Sequence, residues 1–281
     1  MPRILVTGST DGIGLETARQ LIRQGVEVLV HGRDERRANA VSAGLNDEVA
    51  RGRAIPVSGD LSRMSEVVAL AQRVHELGPR LDGLVNNAGI YAAKRELTDD
   101  GFERTIAINH FAHHLLTRWL MPILLAAPAA RIVVVSSGTH HSGRIDLADL
   151  ADRADQAGGK GWTAYGAYSN SKLANVLWTR ALAKRLARTP LTVNALHPGV
   201  IATKLLRAGF GAGGGSPVQG ARTSVYLALD PAIAGLSGRY FVDCRETPVA
   251  RQATDERLAE ILWVETERLL KPYLPPASHG A

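Results

Sequence analysis

The chain predicts a doubly wound α/β fold, in which a parallel sheet is covered on both faces by helices. Short apolar runs alternate with longer stretches of helical periodicity, a glycine-rich turn joins the first run to the first such stretch, and no linker is long enough to separate two domains. Parallel neighbours need a crossover, and the helical stretches between the runs supply it.

Taken in order, Ile4–Thr7, Val26–Val30, Arg53–Val57, Gly83–Asn86, Ile132–Ser136, Thr192–Leu196 and Arg239–Val242 read as strands, a seven-stranded parallel sheet in one domain spanning 1–281. Helices fall between them. Two of these, Asp99–Leu125 and Tyr165–Arg188, are apolar on more than one face, which permits an interface. His140 to Gly161 is polar and glycine-bearing, too long for a routine connection, and reads as a loop at the edge of a site over 140–161. The run Ile201 to Pro217 contains Gly-Phe-Gly-Ala-Gly-Gly-Gly-Ser-Pro, so 201–217 reads as a mobile lid or a flexible surface loop. A C-terminal helix is expected over 255–271, stopped by the prolines that follow.

Composition narrows the function. The 281 residues are 45% hydrophobic and 21% charged, enough apolar mass for a sizeable core. One cysteine, Cys244, excludes an internal disulfide and a cysteine-rich zinc site. The first strand begins without a basic-then-apolar leader, and the longest apolar run, Trp119 to Ala130, is too short to span a bilayer and carries two prolines, so a soluble, cytoplasmic protein is expected. The net charge of +6 comes from basic residues scattered over helix faces, and with only 5% aromatic residues no basic and aromatic stripe points to nucleic acid.

The turn Thr7-Gly8-Ser9-Thr10-Asp11-Gly12-Ile13-Gly14 lets backbone approach a pyrophosphate and presents the unpaired N–H groups of the next helix to it, the hallmark of a Rossmann-type sheet. Gly8, Ser9, Asp11, Gly12, Ile13 and Gly14 are the residues expected against a dinucleotide, although the spacing Gly-x-x-x-Gly-x-Gly differs from the commoner fingerprint. After the second strand, Gly32 and Arg33 leave room and charge for a 2′-phosphate where a carboxylate would bind ribose hydroxyls, so NADP (NADPH) is favoured over NAD. Asp11 and Asp34 argue the other way, and Arg36 and Arg37 read as an exposed helix start. Tyr168 and Lys172 stand one helical turn apart, so a phenol lies beside an ammonium that is expected to lower its pKa.

With the glycine turn, Asp60-Leu61, Asn86-Asn87-Ala88-Gly89, Asn109, Ser136-Ser137, Tyr168-x-x-x-Lys172 and Pro198-Gly199 in this order, the chain resembles the short-chain dehydrogenase/reductase family. The runs Asp100 to Glu103, Ile108 to Phe111, Ser136 to Gly143, Ser171 to Asn175, His197 to Gly199 and Tyr240 to Cys244 look like its retinol-dehydrogenase-like branch, without the membrane anchor often seen there. The resemblance implies that Asp60 and Leu61 bind the adenine, with an N-cap as the other role open to Asp60. It implies that Asn87, Ala88 and Gly89 line the cofactor's ribose, and that Pro198, Gly199 and Thr203 contact its nicotinamide side. It makes Asn109, Ser137, Tyr168 and Lys172 the catalytic set, with Ser136 as the alternate to Ser137 and with Tyr168 and Lys172 also touching the cofactor. A homodimer or homotetramer paired through the helices of Asn109 and Tyr168 is implied as well.

The chemistry expected is interconversion of a carbonyl and an alcohol on a lipophilic substrate, with hydride from the nicotinamide, a proton from Tyr168, and a second donor, Ser137, on the substrate oxygen. Asn109 would bind a water linking Lys172 to solvent. The pocket is expected from Ile90–Leu97, 140–161 and 201–217, with Tyr91, Trp162, Leu205, Leu206 and Phe210 as its apolar members. The same constellation also serves C=C reduction, epimerisation or dehydration, or a non-catalytic NADP-binding regulatory protein. His110 and His114, at i and i+4, read as helix-face histidines and not as a metal site, for want of a third ligand. His140 and His141 read as loop packing. The serine pair lacks the Gly-x-Ser-x-Gly elbow of a nucleophile.

Overall fold

The computed structural model describes residues 1–49, 51–147, 150, 161–211 and 213–276. Its sheet runs β3-β2-β1-β4-β5-β6-β7-β8. The first seven strands, β1 (Arg3–Val6), β2 (Glu27–Gly32), β3 (Arg53–Ser58), β4 (Gly83–Asn86), β5 (Arg131–Val135), β6 (Thr192–His197) and β7 (Tyr240–Val242), are mutually parallel. The eighth, β8 (Arg245–Glu246), pairs antiparallel with β7 and corrects the expected count of seven. Two residues are too few to show alternation, and the turn that makes the hairpin uses Asp243 and Cys244 at φ 47° and 60°, without the glycine that signals such turns.

Chain order reverses between β1 and β4, so the crevice beyond their carboxyl ends is the switch point where this architecture takes its ligands. The strands have a packed layer on each side. On one face, Leu21, Ile22 and Ala18 of α1 (Gly12–Arg23) and Leu45 of α2 (Glu35–Glu48) meet Ile4, Val6, Val28 and Val30, and α8 (Pro217–Leu229) adds Val225 and Leu227. On the other, α3 (Met64–Glu76), α5 (Ala112–Leu125), α6 (Ala164–Arg185) and α9 (Glu256–Leu270) bury Leu70, Leu116, Leu177 and Leu262 against Leu5, Leu84 and Val134.

The stretch expected as one helix over Asp99–Leu125 is broken into α4 (Arg104–Ile106), a π-helical turn at Ala107–Phe111 and α5. That wider turn carries Asn109. The lid segment is not a plain flexible run: Lys204–Gly209 form α7, and Gly215 bonds back to Val200 and Ala202 beside a bridge to Ile201. Of the expected site-edge loop 140–161, residues 148–149 and 151–160 lie outside the described residues.

The second apolar face of α5 and α6, expected to permit an interface, is covered from within the chain by α9. Thr266 meets His110, Glu267 meets His114 and Arg118, and Arg185 stacks over the Trp263 ring. The Trp119 indole also donates to the Tyr273 carbonyl just beyond α9.

Candidate active site

The nucleotide end is a cavity of ≈ 510 Å³ lined by the glycine turn and by side chains such as Arg33, Asp60 and Asn87. Gly8 and Gly12 sit at φ +64° and +54°, a region that a side chain disfavours. The added Cβ of an alanine at 14 would strike the Gly8 carbonyl and the Asn87 amide, so the third glycine is needed for close approach. Asp11 caps α1 by accepting from the Gly12 N–H at 2.8 Å. Asn87 sends its amide N–H to the Thr7 carbonyl at 2.8 Å, tying the ends of β1 and β4 together across the switch point. Beneath the turn, buried His31 accepts from the Gly8 N–H at 3.0 Å and meets the Gly59 carbonyl at 3.0 Å.

Gly8, Asp11, Gly12, Ile13, Gly14, Arg33, Asp60, Leu61, Asn87, Ala88, Gly89 and Thr203 all line this cavity. Ser9 does not: its hydroxyl is buried between the Val6 carbonyl and the His31 N–H, and its neighbour Thr10 faces the cavity instead. Asp60 has one carboxylate oxygen engaged by the N–H and hydroxyl of Ser62, a local turn rather than the N-cap of α3. Asp34 is engaged as the N-cap of α2.

Three cations not expected here also line the cavity: Arg37, read as an exposed helix start, Lys204 and Arg104. Arg37 lines the cavity beside Arg33 and reaches the Thr10 carbonyl and Asp11 at 3.3 Å, and Lys204 pairs with Asp11 at 2.6 Å. Lys204 beside it holds the Asp11 carboxyl below its usual range. The signal for Arg37 was its place three residues past the Asp34 cap, one helical turn inside α2, which turns its side chain back toward the glycine turn.

The reaction end is a second cavity of ≈ 310 Å³ that shares Ile13, Asn87, Gly89, Thr203 and Leu205 with the first. Ser137, Tyr168, Lys172, Pro198 and Gly199 line it, with Leu206 and Phe210 from α7 and its C-terminal end. Ser136 lines the cavity as well, and the two serines differ in their hydrogen bonds. The Ser136 hydroxyl donates to the Lys172 carbonyl at 2.8 Å, whereas the Ser137 hydroxyl meets Tyr168. Tyr91 packs on both Tyr168 and Phe210, with ring centroids 5.6 and 5.3 Å apart, and Phe210 lies 5.8 Å from Tyr168. Trp162 is not among the lining residues, and His197, at the end of β6, is.

Lys172 stands beside Tyr168, its ammonium 5.6 Å from the ring centroid, but the expected lowering of the phenol pKa is not found. Burial pushes Tyr168 up to about 12, opposed by the Ser137 hydrogen bond, and burial pushes Lys172 down to about 8. The amine donates to the Val135 carbonyl at 2.9 Å and is itself depressed by burial, so desolvation outweighs attraction. Asn109 has its side-chain amide closed on the Ile90 backbone in both directions and donates to Ser171. Both amide hydrogens of that side chain are therefore spent within the protein.

His110 bonds to Asn175 and Thr266, and His114 to Trp178 and Glu267, so their shared helix face serves neighbouring helices. Among the described residues no cluster of metal-ligating side chains occurs, and no helix is long and apolar enough to cross a membrane.

A nucleotide cradle at the switch point, opening onto a buried Ser-Tyr-Lys set, defines a dinucleotide-dependent oxidoreductase. The family model for short chain dehydrogenase matches residues 2–148 and 154–210, and the chain belongs to the short-chain dehydrogenase/reductase family, in its retinol-dehydrogenase-like branch. It is similar to human retinol dehydrogenase 14, 40% identical over 290 residues covering 92% of this chain and 83% of the relative. Mouse polyprenol dehydrogenase is also 40% identical, over 282 residues covering 94% of this chain and 82% of that one. Among solved structures, a protein from Mycobacterium paratuberculosis superposes with a TM-score of 0.78 at 34% identity, covering 98% of this chain and 96% of the other. A chain from Escherichia coli CFT073, described as a short chain dehydrogenase complexed with NADPH, gives 0.69 at 27% identity, covering 87% of this chain and 97% of its own.

Proposed function

We propose that this oxidoreductase uses NADP(H) to interconvert a carbonyl and an alcohol on a lipophilic substrate, with Tyr168 moving the proton. The observation that carries the reading is the continuity of the two cavities, which brings the Tyr168 and Ser137 hydroxyls to the inner end of the glycine-turn cradle. The cradle fits a dinucleotide: its glycines leave the backbone bare where a Cβ would intrude, and α1 opens toward it. Preference for NADP is supported by Gly32 at the strand end, by Arg33 and Arg37 on the wall beside it, and by the NADPH complex of the E. coli chain.

A bound nicotinamide supplies the hydride. The protein meets the negative charge that develops on the substrate oxygen with two hydroxyl donors, Ser137 and Tyr168, fixed before reaction. With its pKa near 12 the phenol is protonated at neutral pH, the state needed to give a proton in carbonyl reduction. Lys172, which its pKa near 8 leaves mostly protonated at neutral pH, can then return a proton to the phenolate, and a water held at the π turn of Asn109 is the proposed route onward to solvent. Leu205, Leu206 and Phe210 make the substrate side apolar, with 201–217 as its lid. A lipophilic substrate is supported by that lining and by the retinol and polyprenol dehydrogenases among the relatives. A cytoplasmic setting belongs to the same reading, in keeping with the lone, unpaired Cys244.

The test is NADPH oxidation with a panel of lipophilic aldehydes, ketones and quinones, repeated with NADH. Turnover with NADPH and one class of apolar carbonyl is expected. A clear NADH preference overturns the argument from Arg33 and Arg37, and NADPH binding without oxidation of any carbonyl returns the chain to a regulatory role.

A further inference from the structure

We infer that His140 is a positioning residue: a buried, neutral imidazole that fixes the Ser137 peptide, and with it the direction of the Ser137 hydroxyl. The inference rests on the proposed role of Ser137. Its basis is a pair of hydrogen bonds whose partners leave no choice. His140 is fully buried. Its Nδ1 lies 2.7 Å from the Ser137 carbonyl, which can only accept, so Nδ1 must carry the proton. Its Nε2 lies 3.1 Å from the Ala250 N–H, which can only donate, so Nε2 must be bare. The ring is therefore held as one tautomer, and packing on the rings of Tyr240 and His141 at 4.8 and 4.1 Å fixes its plane.

What this strut controls follows from Ser137 itself. The residue leaves β5 extended, at φ −159° and ψ 156°, and caps the 3₁₀ turn Gly138–Ser142 by accepting from the Thr139 N–H at 3.2 Å. Its carbonyl receives the His140 imidazole and, at 3.2 Å, the His140 backbone N–H. With the carbonyl held twice, the ψ of Ser137 cannot swing. The backbone frame of Ser137 is thereby fixed, and the Thr139 N–H, held in the same turn, keeps the hydroxyl toward Tyr168 and the substrate cavity. The far end of the strut is Ala250, in the segment leading to α9, so the placement of a donor in the site depends on a contact 110 residues away in the chain. Protonation would set an N–H against the Ala250 N–H, and burial accordingly pushes the imidazole down to about 4.

Two substitutions separate the ends of the strut. Asparagine places an amide N–H where Nδ1 stands and is too short to reach Ala250, whereas leucine offers neither bond. With NADPH and all-trans-retinal, we expect His140→Leu to lower kcat about tenfold with KM little changed, the low end for loss of a supporting hydrogen bond. His140→Asn should keep kcat within about threefold of wild type while losing as much Tm as the leucine variant, since both lose Ala250. In a Ser137→Ala background, His140→Leu should cost less than about twofold more, because the group it positions is gone.

Equal kcat losses in the asparagine and leucine variants, or an undiminished leucine effect on top of Ser137→Ala, overturn the inference and leave Ser137 as a donor. Full activity of Ser137→Ala removes the Ser137 reading and this inference with it. Nitrogen-15 NMR of the imidazoles gives a readout free of turnover: one ring, absent from the His140→Asn spectrum, should be Nδ1-protonated between about pH 6 and 8. An Nε2-protonated or charged ring in its place also overturns the inference.

Discussion

The two ends of the site are braced alike and built differently. At the nucleotide end His31 joins the Gly8 N–H to the Gly59 carbonyl, and at the reaction end His140 joins the Ala250 N–H to the Ser137 carbonyl, each as a buried neutral ring. Burial pushes both down to about 4, so neither changes state near neutral pH. The difference lies in what they hold. His31 supports bare backbone, whose N–H groups keep the same chemistry wherever the fold puts them. His140 holds the peptide from which a reacting side chain projects, and the neighbouring groups, Tyr168 and Lys172, owe their protonation states to how completely the fold buries them. A backbone cradle is fixed by close approach, whereas a reacting pair is fixed by desolvation.

The sharpest break of this contrast is Tyr168→Phe, which removes the proton donor and should lower kcat by about 10⁴-fold at the upper range for such groups. NADPH binding, measured by fluorescence titration, should be nearly unchanged, because the cradle is untouched. Retained turnover would reject Tyr168 as the acid.

Lys172→Met probes desolvation directly. A buried lysine with a pKa near 8, against 10.5 for an exposed one, takes up fewer protons than the unfolded chain between those values, so its burial penalises stability below pH 8 and the penalty fades as pH rises toward 10.5. The unliganded variant should gain stability on wild type at pH 7, and that gain should shrink by about 2–3 kcal/mol by pH 10. Chemical denaturation at the two pH values measures it, and a gain independent of pH would show that Lys172 is not desolvated.

Gly14→Ala attacks the cradle instead. The new Cβ meets the Gly8 carbonyl and the Asn87 amide, both anchored, so about 1–3 kcal/mol of stability should be lost along with NADPH affinity. Normal melting and normal binding would mean that the turn yields freely. The smallest expected effect is at Arg33 and Arg37. Each alanine variant should weaken NADPH about tenfold, as expected for one charge-assisted hydrogen bond, while leaving NADH affinity unchanged. Equal losses for both cofactors would assign these arginines to the fold or to the shared pyrophosphate.

Much of this was legible in the chain because local rules suffice for it. Alternation of apolar runs and helical stretches fixes a parallel sheet, since crossovers admit no other cheap arrangement. The glycine spacing fixes a turn with bare backbone, and four residues between Tyr168 and Lys172 fix their adjacency on α6. The π turn under Asn109 was hidden, because Ala107–Phe111 are buried on every side and leave no exposed polar face on which a phase shift could show. So was β8, which two residues cannot announce.

The sequence by itself determined the order of strands and helices, the glycine cradle and the neighbourhood of the Tyr168–Lys172 pair, all consequences of backbone geometry over a few residues. Only the tertiary structure decided that the Ser136 hydroxyl is spent on the Lys172 carbonyl, that Arg37 joins Arg33, that α9 covers the spare face of α5 and α6, and that Tyr168 is made less acidic rather than more. Those outcomes depend on which distant groups exclude water from a side chain, and solvent exclusion is a property of the packed whole that no local spacing encodes.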